Sequence, residues 1–336
     1  MKTTIARITH RLRERGILAL TVLCAVGAGL ESISAVAAYP ERPIRMIVPQ
    51  NVGSSTDNVA RIVATEMTRE TGWQIVVDNR PGGALQLGLE LAVQAPADGY
   101  TIAYAPIGAL AIAPHLMAKP PVNALRDLAP VGQTVSGHQV VLASLHTPFK
   151  NLQEVIDYAK KNPDKLTNGS SSNGAPGHIG FELLKTMTGI KIVHVPYKGG
   201  AAALVDLMAG RVQLMMEGLN SATPHVKAGR VRALAVTGAA RTAIFPDIPT
   251  VAEAGVPGFV MTVWHGVVAP VKTPLAMITV LNAAVNKAIT SPEGKRRILA
   301  LGSEPHPGTP EEFWKLVRSD RERWGEVIKK AGAKID

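Results

Sequence analysis

The sequence predicts an α/β fold of two similar lobes, and three observations carry that expectation. The first is an internal repeat. Thr71-Gly72-Trp73-Gln74-Ile75-Val76, followed by Gly82-Gly83-Ala84, recurs as Thr188-Gly189-Ile190-Lys191-Ile192-Val193, followed by Gly199-Gly200-Ala201, with every matched pair 117 positions apart. The second is a small polar loop ahead of each copy at the same offset, Gly53 to Asp57 and Ser170 to Gly174. The third is the alternation of short apolar runs with stretches of helical period, the pattern of a largely parallel sheet covered by helices on both faces. A repeat of this length occurring twice fits two lobes, not a solenoid.

In chain order, Ile44 to Pro49 reads as a strand and Val59 to Met67 as a helix, because its apolar spacing is near 3.6. Gln74 to Val77 and Tyr100 to Ala105 follow as strands with helix at Leu87 to Ala95 between them. Val140 to Ala143 opens a second set, and Asn151 with Glu154 three places on forms a capping box. Helices at Gly180 to Met187 and Ala202 to Ala209 then alternate with strands at Ile192 to Val195, Gln213 to Met216 and Arg232 to Thr237. Trp264 to Ala269 is the last strand. Thr273-Pro274, Ser291-Pro292 and Thr309-Pro310 each announce a helix by a hydroxyl cap followed by proline.

The first 38 residues are set apart. Lys2, Arg7, Arg11, Arg13 and Arg15 precede an uncharged run, Ile17 to Leu30, and Ala35-Val36-Ala37 or Val36-Ala37-Ala38 supplies the small residues that signal peptidase needs. The run has 14 residues, too few to span a membrane comfortably. Residues 1–38 are therefore expected to be a cleaved secretory signal, and the product a soluble periplasmic protein. Cys24, the one cysteine, lies inside this run after Leu23, where a lipoprotein signal needs a small residue, so no disulfide or lipid anchor is expected. Cleavage removes five of the 36 basic and two of the 26 acidic residues, which leaves a net charge of +7. The positive charge is interleaved with acidic side chains, as in Arg318-Ser319-Asp320-Arg321-Glu322-Arg323, which reads as a solvated surface and not a nucleic-acid footprint.

The domain division expected is 39–137 plus 259–336 for one lobe and 138–258 for the other, with two crossings and a hinge near both. A ligand would sit between the lobes. Gly53, Ser54, Ser55, Thr56 and Asp57 offer amides and hydroxyls at a helix start, a setting for an anion without a buried counter-charge; the competing reading is that the hydroxyls only cap the helix. Ser171, Ser172 and Asn173 supply the twin loop, and His178 just after it is either an anion donor or a structural residue. Gly169 to Gly174 lacks the lysine and hydroxyl of a phosphate loop, and its glycine spacing misses the hydrolase elbow. The histidines show no paired metal-ligand spacing, so neither metal nor cofactor is expected.

Several motifs in order, Tyr39-Pro40-Glu41-Arg42-Pro43-Ile44, Ser55-Thr56-Asp57, Asn79-Arg80-Pro81-Gly82, Asp98-Gly99-Tyr100-Thr101, His194 to Gly199, Pro249 to Gly255 and Trp264-His265-Gly266, resemble the Bug-type periplasmic solute receptors of tripartite tricarboxylate transporters. The resemblance covers the whole mature chain. It implies a two-lobed periplasmic binding protein of the type II, Venus flytrap kind, closing over a small mono- or dicarboxylate that it delivers to a membrane permease. It also implies that the two loops hold carboxylate by amides, hydroxyls and ordered waters without an arginine clamp. The family has an aromatic residue and two glycines before Ser-Thr-Asp, where this chain has Gln50-Asn51-Val52-Gly53-Ser54. Gln50 then becomes a candidate ligand contact favouring an acid with an additional polar group.

A monomeric, non-catalytic receptor is the expectation. The alternatives are a periplasmic sensor docking on a signalling partner and, behind it, an exported α/β hydrolase or isomerase using His178 or Asp57.

Overall fold

The computed structural model describes residues 39–332; the expected signal segment, with Cys24, lies outside the described residues. β1 (Ile44–Val48) is buried almost throughout, and the chain turns through a polar loop into α1 (Ser55–Thr71). Val59, Ile62, Val63 and Met67 form the buried stripe of that helix, at the spacing that predicted it. β2 (Ile75–Asn79), α2 (Gln86–Val93) and β3 (Thr101–Pro106) complete the first set, with β2 and β3 both parallel to β1.

The second set repeats the plan. After α5 (Leu152–Lys161) come β5 (Thr167–Ser170), α6 (Pro176–Thr188), β6 (Val193–Pro196), α7 (Gly200–Met208) and β7 (Leu214–Gly218), with β6 and β7 both parallel to β5. The repeat is conformational as well as sequential. α1 and α6 end at left-handed glycines, Gly72 with φ 76° and Gly189 with φ 72°. The later pair, Gly82 and Gly199, adopts φ 130° and 125°, a region that L side chains rarely enter. Glycine at matched positions thus fixes the same two bends in each half.

One strand joins the halves. β4 (Leu128–Ser144) pairs through Leu128 to His138 with β9 (Thr262–Pro270), then through Gln139 to Ser144 with β7 and β8 (Val231–Val236). The order is β2-β1-β3-β9-β4-β7-β5-β6, with β8 and β10 (Ser303–Pro305) also on β4. β4 carries the chain from the first half to the second and β9 carries it back, so the two run antiparallel, while the outer strands keep the expected parallel pairing. Thr237 ties the crossings together. Its hydroxyl accepts from Gln139 N at 2.9 Å and donates to Met261 O at 2.8 Å.

Short α3 (Ala113–Leu116) and α4 (Ala124–Asp127) precede β4, following a buried π-helical turn at Gly108–Ile112, and α8 (Leu219–Lys227) follows β7. The sequence pattern missed these: the π-helical turn is buried throughout and has no amphipathic period, α3 and α4 are four residues each, too short to show one, and α8 carries Pro224 inside it. The C-terminal part is helical: α9 (Leu275–Thr290), α10 (Pro292–Ala300) and α11 (Pro310–Ala331). Ser291 and Thr309 cap their helices as expected, Thr309 through a full capping box with Glu312. Thr273 does not. α9 starts one residue later than that motif implied, with Pro274 at the cap position, and the Thr273 hydroxyl is buried with no hydrogen-bond partner among the described residues. Trp264 is a core residue, edge-on to Phe313 with its indole N–H on Asp320.

Candidate functional site

A cavity of about 840 Å³ opens between the loop after β1, the loop after β5, the point within β4 where it changes partners, the end of β7 and the start of β9. Its size is that of a small-molecule site. Of the sequence-predicted residues, Gln50, Gly53, Ser54, Ser55, Thr56, Ser171 and Ser172 line it. Asp57, Asn173 and His178 do not.

The first loop is built around Asp57. Its Oδ2 accepts from Gly53 N at 2.8 Å and Arg61 Nε at 3.0 Å, and its Oδ1 from Asn79 Nδ2 at 2.8 Å. Asn79 also donates to Gln50 O at 3.0 Å, so one carboxylate and one amide hold both ends of the turn. Burial alone would raise the Asp57 pKa, but the bonds from Arg61, Gly53 and Asn79 outweigh it and hold the carboxyl below its ordinary value. Asp57 therefore shapes the loop, and its carboxylate is taken up by protein donors.

Ser54 is the N-cap of α1, its hydroxyl accepting from Asp57 N at 3.1 Å. Ser55, one place on, is free of that duty and faces the cavity at the positive end of a 17-residue helix. Thr56 lies deeper, with its hydroxyl 3.4 Å from His265 Nε2. Capping and cavity lining are thus divided among neighbouring hydroxyls.

In the second loop the polar groups largely satisfy one another. Ser170 Oγ donates to Ser172 O at 2.9 Å, and His194 Nε2 lies 2.6 Å from the same hydroxyl. With that proton spent, His194 Nε2–H must be the donor. His178 Nδ1 accepts from Gly174 N at 3.1 Å, and the two imidazoles stack with centroids 3.8 Å apart. Burial, then His194 and Lys185, pushes the His178 pKa down to about 3, and burial, then Lys185, pushes His194 down to about 4. Both rings are neutral structural elements behind the loop. What the loop presents to the cavity is Ser171 and Ser172.

The far wall was largely missed by sequence reasoning. It comprises the start of α7 (Lys198, Gly199, Gly200), the β7–α8 junction (Glu217, Gly218, Asn220, Ser221, His225), Gln139 and His265. The available signals were the His194 to Gly199 and Trp264-His265-Gly266 motifs and an acid at the end of an apolar strand, Leu214-Met215-Met216-Glu217. Glu217 is 8% exposed, its Oε1 accepting from Gly218 N at 3.1 Å. Burial pushes its pKa up to about 7, against smaller lowering by Gly218 and Ser221. His265 is pushed down to about 4 by burial alone. Gln139 Oε1, Asn220 Nδ2 and His265 Nδ1 are buried atoms with no hydrogen-bond partner among the described residues, and all three residues line the cavity. Across the cavity, Asn51 Nδ2 reaches Lys198 O at 3.4 Å and Ser55 lies against Gly218. Among the described residues no group of three or more His, Cys, Asp or Glu side chains is placed to hold a metal ion, and no helix is long and apolar enough to cross a membrane.

Residues 59–333 match the model of the tripartite tricarboxylate transporter family receptor. The chain belongs to that family. The receptor is similar to BugT of Bordetella pertussis, 33% identical over 320 residues that cover 95% of this chain and 98% of BugT. Among solved structures it is similar to an R. palustris protein with adipate, at 35% identity and TM-score 0.85, covering 88% of this chain and all of that one. The malate-bound MatC of Rhodopseudomonas palustris superposes with TM-score 0.81 at 30% identity, covering 86% and 100% of the two chains. The receptor is thus a two-lobed periplasmic solute-binding protein in fold and family, as the sequence motifs implied.

Proposed function

We propose that the receptor binds a small organic carboxylate in the cavity between its two half-sheets and delivers it to the permease of a tripartite tricarboxylate transporter. One observation carries this reading: a helix N-terminus with its cap already made, α1, opens on a cavity whose other wall is lined by Gln139, Asn220 and His265, each with a buried polar atom that has no hydrogen-bond partner among the described residues. Buried polar groups are rarely left unpaired, so the wall is suited to a polar ligand, and the α1 amides with Ser55 suit its carboxylate. The relatives solved with adipate and malate support the same class of ligand. Cleavage of residues 1–38 would release it into the periplasm, and lobes of 39–137 plus 259–336 and of 138–258 would hinge where β4 changes partners and where Thr237 bonds Met261.

The proposal includes binding without turnover. The hydroxyl–imidazole pair inside the cavity, Thr56 and His265, lacks a third group orienting the base, since His265 Nδ1 has no partner among the described residues. The pair Ser170 and His194 stands outside the cavity lining.

A thermal-shift screen against small organic acids tests the reading. An acid present at about 100-fold over Kd should stabilise the native state by about 2.7 kcal/mol and be recovered unchanged. Failure of every acid to shift the melting point, or steady consumption of one, overturns it. Mass spectrometry of the exported chain checks processing: the expected mass begins at Ala38 or Tyr39, and a mass that retains Cys24 contradicts it.

A further inference from the structure

We propose that Glu217 selects the ligand: the end of the bound acid that reaches the start of α7 carries a hydrogen-bond donor, not a second carboxylate. This deepens the carboxylate-receptor reading and rests on it.

The argument begins with strand alternation. Successive residues of β7 point to opposite sides. At Gly218 a Cβ would stand 3.3 Å from Ser55 Oγ, whereas Glu217 turns the other way and brings Oε2 to 2.6 Å from where a Cβ on Gly200 would be. Gly200 opens α7, whose N-cap, Gly199, makes no side-chain cap bond. The protein's own carboxyl therefore occupies the anion-favouring end of the helix that borders the far wall. At the repeat-related bend, Gly82 and Gly83, what a Cβ would meet is Leu87 and Gln86, not an acid.

Glu217 is buried, its bonds run to neutral groups, Gly218 N–H and Ser221, and among the described residues no Lys or Arg pairs with it. A buried acid so placed is only partly compensated. A ligand group that donates a hydrogen bond, an ammonium most strongly, would complete it, and Gln139, which also lines the cavity, has an Oε1 without a hydrogen-bond partner among the described residues. A second carboxylate would meet like charge. The other titratable groups on the cavity are Tyr197, Lys198, whose side chain is exposed, His225 on α8, and His265 on β9; none of them forms an ion pair with Glu217 among the described residues.

The test measures affinities at about pH 8, above the Glu217 midpoint, for matched sets of α,ω-dicarboxylates, their monoamides and the corresponding ω-amino acids, adipate, adipamate and 6-aminohexanoate among them. In the native chain the donor-ended member should bind at least about tenfold more tightly than its dicarboxylate, the scale of one charge-assisted bond. Glu217→Gln should erase or invert that preference. Equal or tighter binding of the dicarboxylate by the native chain overturns the inference while leaving the receptor reading intact; so does a preference that Glu217→Gln does not change. If no acid of any set binds, both readings fall. Circular dichroism checks that the variant folds, and if it does not, the native ranking decides by itself.

Discussion

The two halves of this receptor start from nearly the same sequence plan and put it to different uses. In the first, α1 follows its loop at once: Ser54 caps, Asp57 locks the turn, and Ser55 is left facing the cavity. In the second, α6 begins at Pro176 with no side-chain cap, and the loop's hydroxyl and amide groups close on His194 and His178. Packing differs too. α6 carries Gly177 and Gly180 where α1, 117 residues earlier, carries Ala60 and Val63, and a Cβ at Gly177 would stand 2.1 Å from Met216 O. The second helix thus lies hard against β7, the strand that presents Glu217. A shared offset fixes bends and element order, and individual side chains then decide which hydroxyls are left facing the cavity and which are taken up by neighbouring groups.

The comparison can be broken most severely at Gly177. Gly177→Ala should cost about 3 kcal/mol or more, since the clash is with backbone and cannot be relieved by a rotamer. The mirror change in α1, Ala60→Gly, should cost only about 1 kcal/mol. Denaturant unfolding measures both, and equal costs would mean that the helices are not packed differently.

Next in size is Glu217→Gln, read as a function of pH. The folded midpoint near 7 lies above the ordinary 4.5, so below about pH 4.5 the group is protonated in both states and carries no penalty. Between the two values the unfolded chain ionises while the folded one keeps its proton, and stability falls, by about 3 kcal/mol once pH exceeds 7. The Gln variant should lose this alkaline decline. His178, His194 and His265 act in the opposite sense: their lowered midpoints give stability that is present above about 6.5 and lost as pH falls toward 4. That acid limb should persist in the variant. Parallel curves for the two proteins would show that Glu217 is not buried in solution.

Ser55→Ala should weaken carboxylate binding by about 2 kcal/mol, the scale of a hydrogen bond to a charged group, with little change in stability. Ser172→Ala tests whether the second loop contributes equally; a smaller loss is expected, because the neighbouring Ser170 hydroxyl is committed to His194 and the Gly174 amide to His178. The smallest effect is at Ser54, where Ser54→Ala should lower stability by about 1 kcal/mol through loss of the cap and leave affinity nearly unchanged. Calorimetric titration beside unfolding separates the three, and an affinity loss at Ser54 as large as at Ser55 would undo the division of labour between them.

Much of the molecule is written locally. The strands and helices flanking Gly72, Gly82, Gly189 and Gly199 were legible because the signals that specify them, apolar period and glycine where φ is positive, act over a few residues. The caps at Asn151, Ser291 and Thr309 were legible for the same reason, and so was the cavity-lining role of Gly53 to Thr56. Thr273 was not, because a threonine before proline caps a helix only if the chain enters at the right angle, and packing set that angle. Asp57 and His178 carry the residue types of a ligand site, yet their partners, Asn79 and His194, lie on neighbouring strands, and only the fold brings them near enough to claim those groups. Glu217 and Asn220 are near neighbours at one strand–helix junction, but Gln139 and His265 join them from strands far off in sequence, so no spacing could have gathered the four. The sequence by itself determined the two-lobed α/β plan, the glycine bends and the loop that opens α1. The tertiary structure decided which polar groups face the cavity and which face one another, because burial and partner choice depend on what the chain places within a hydrogen bond's length.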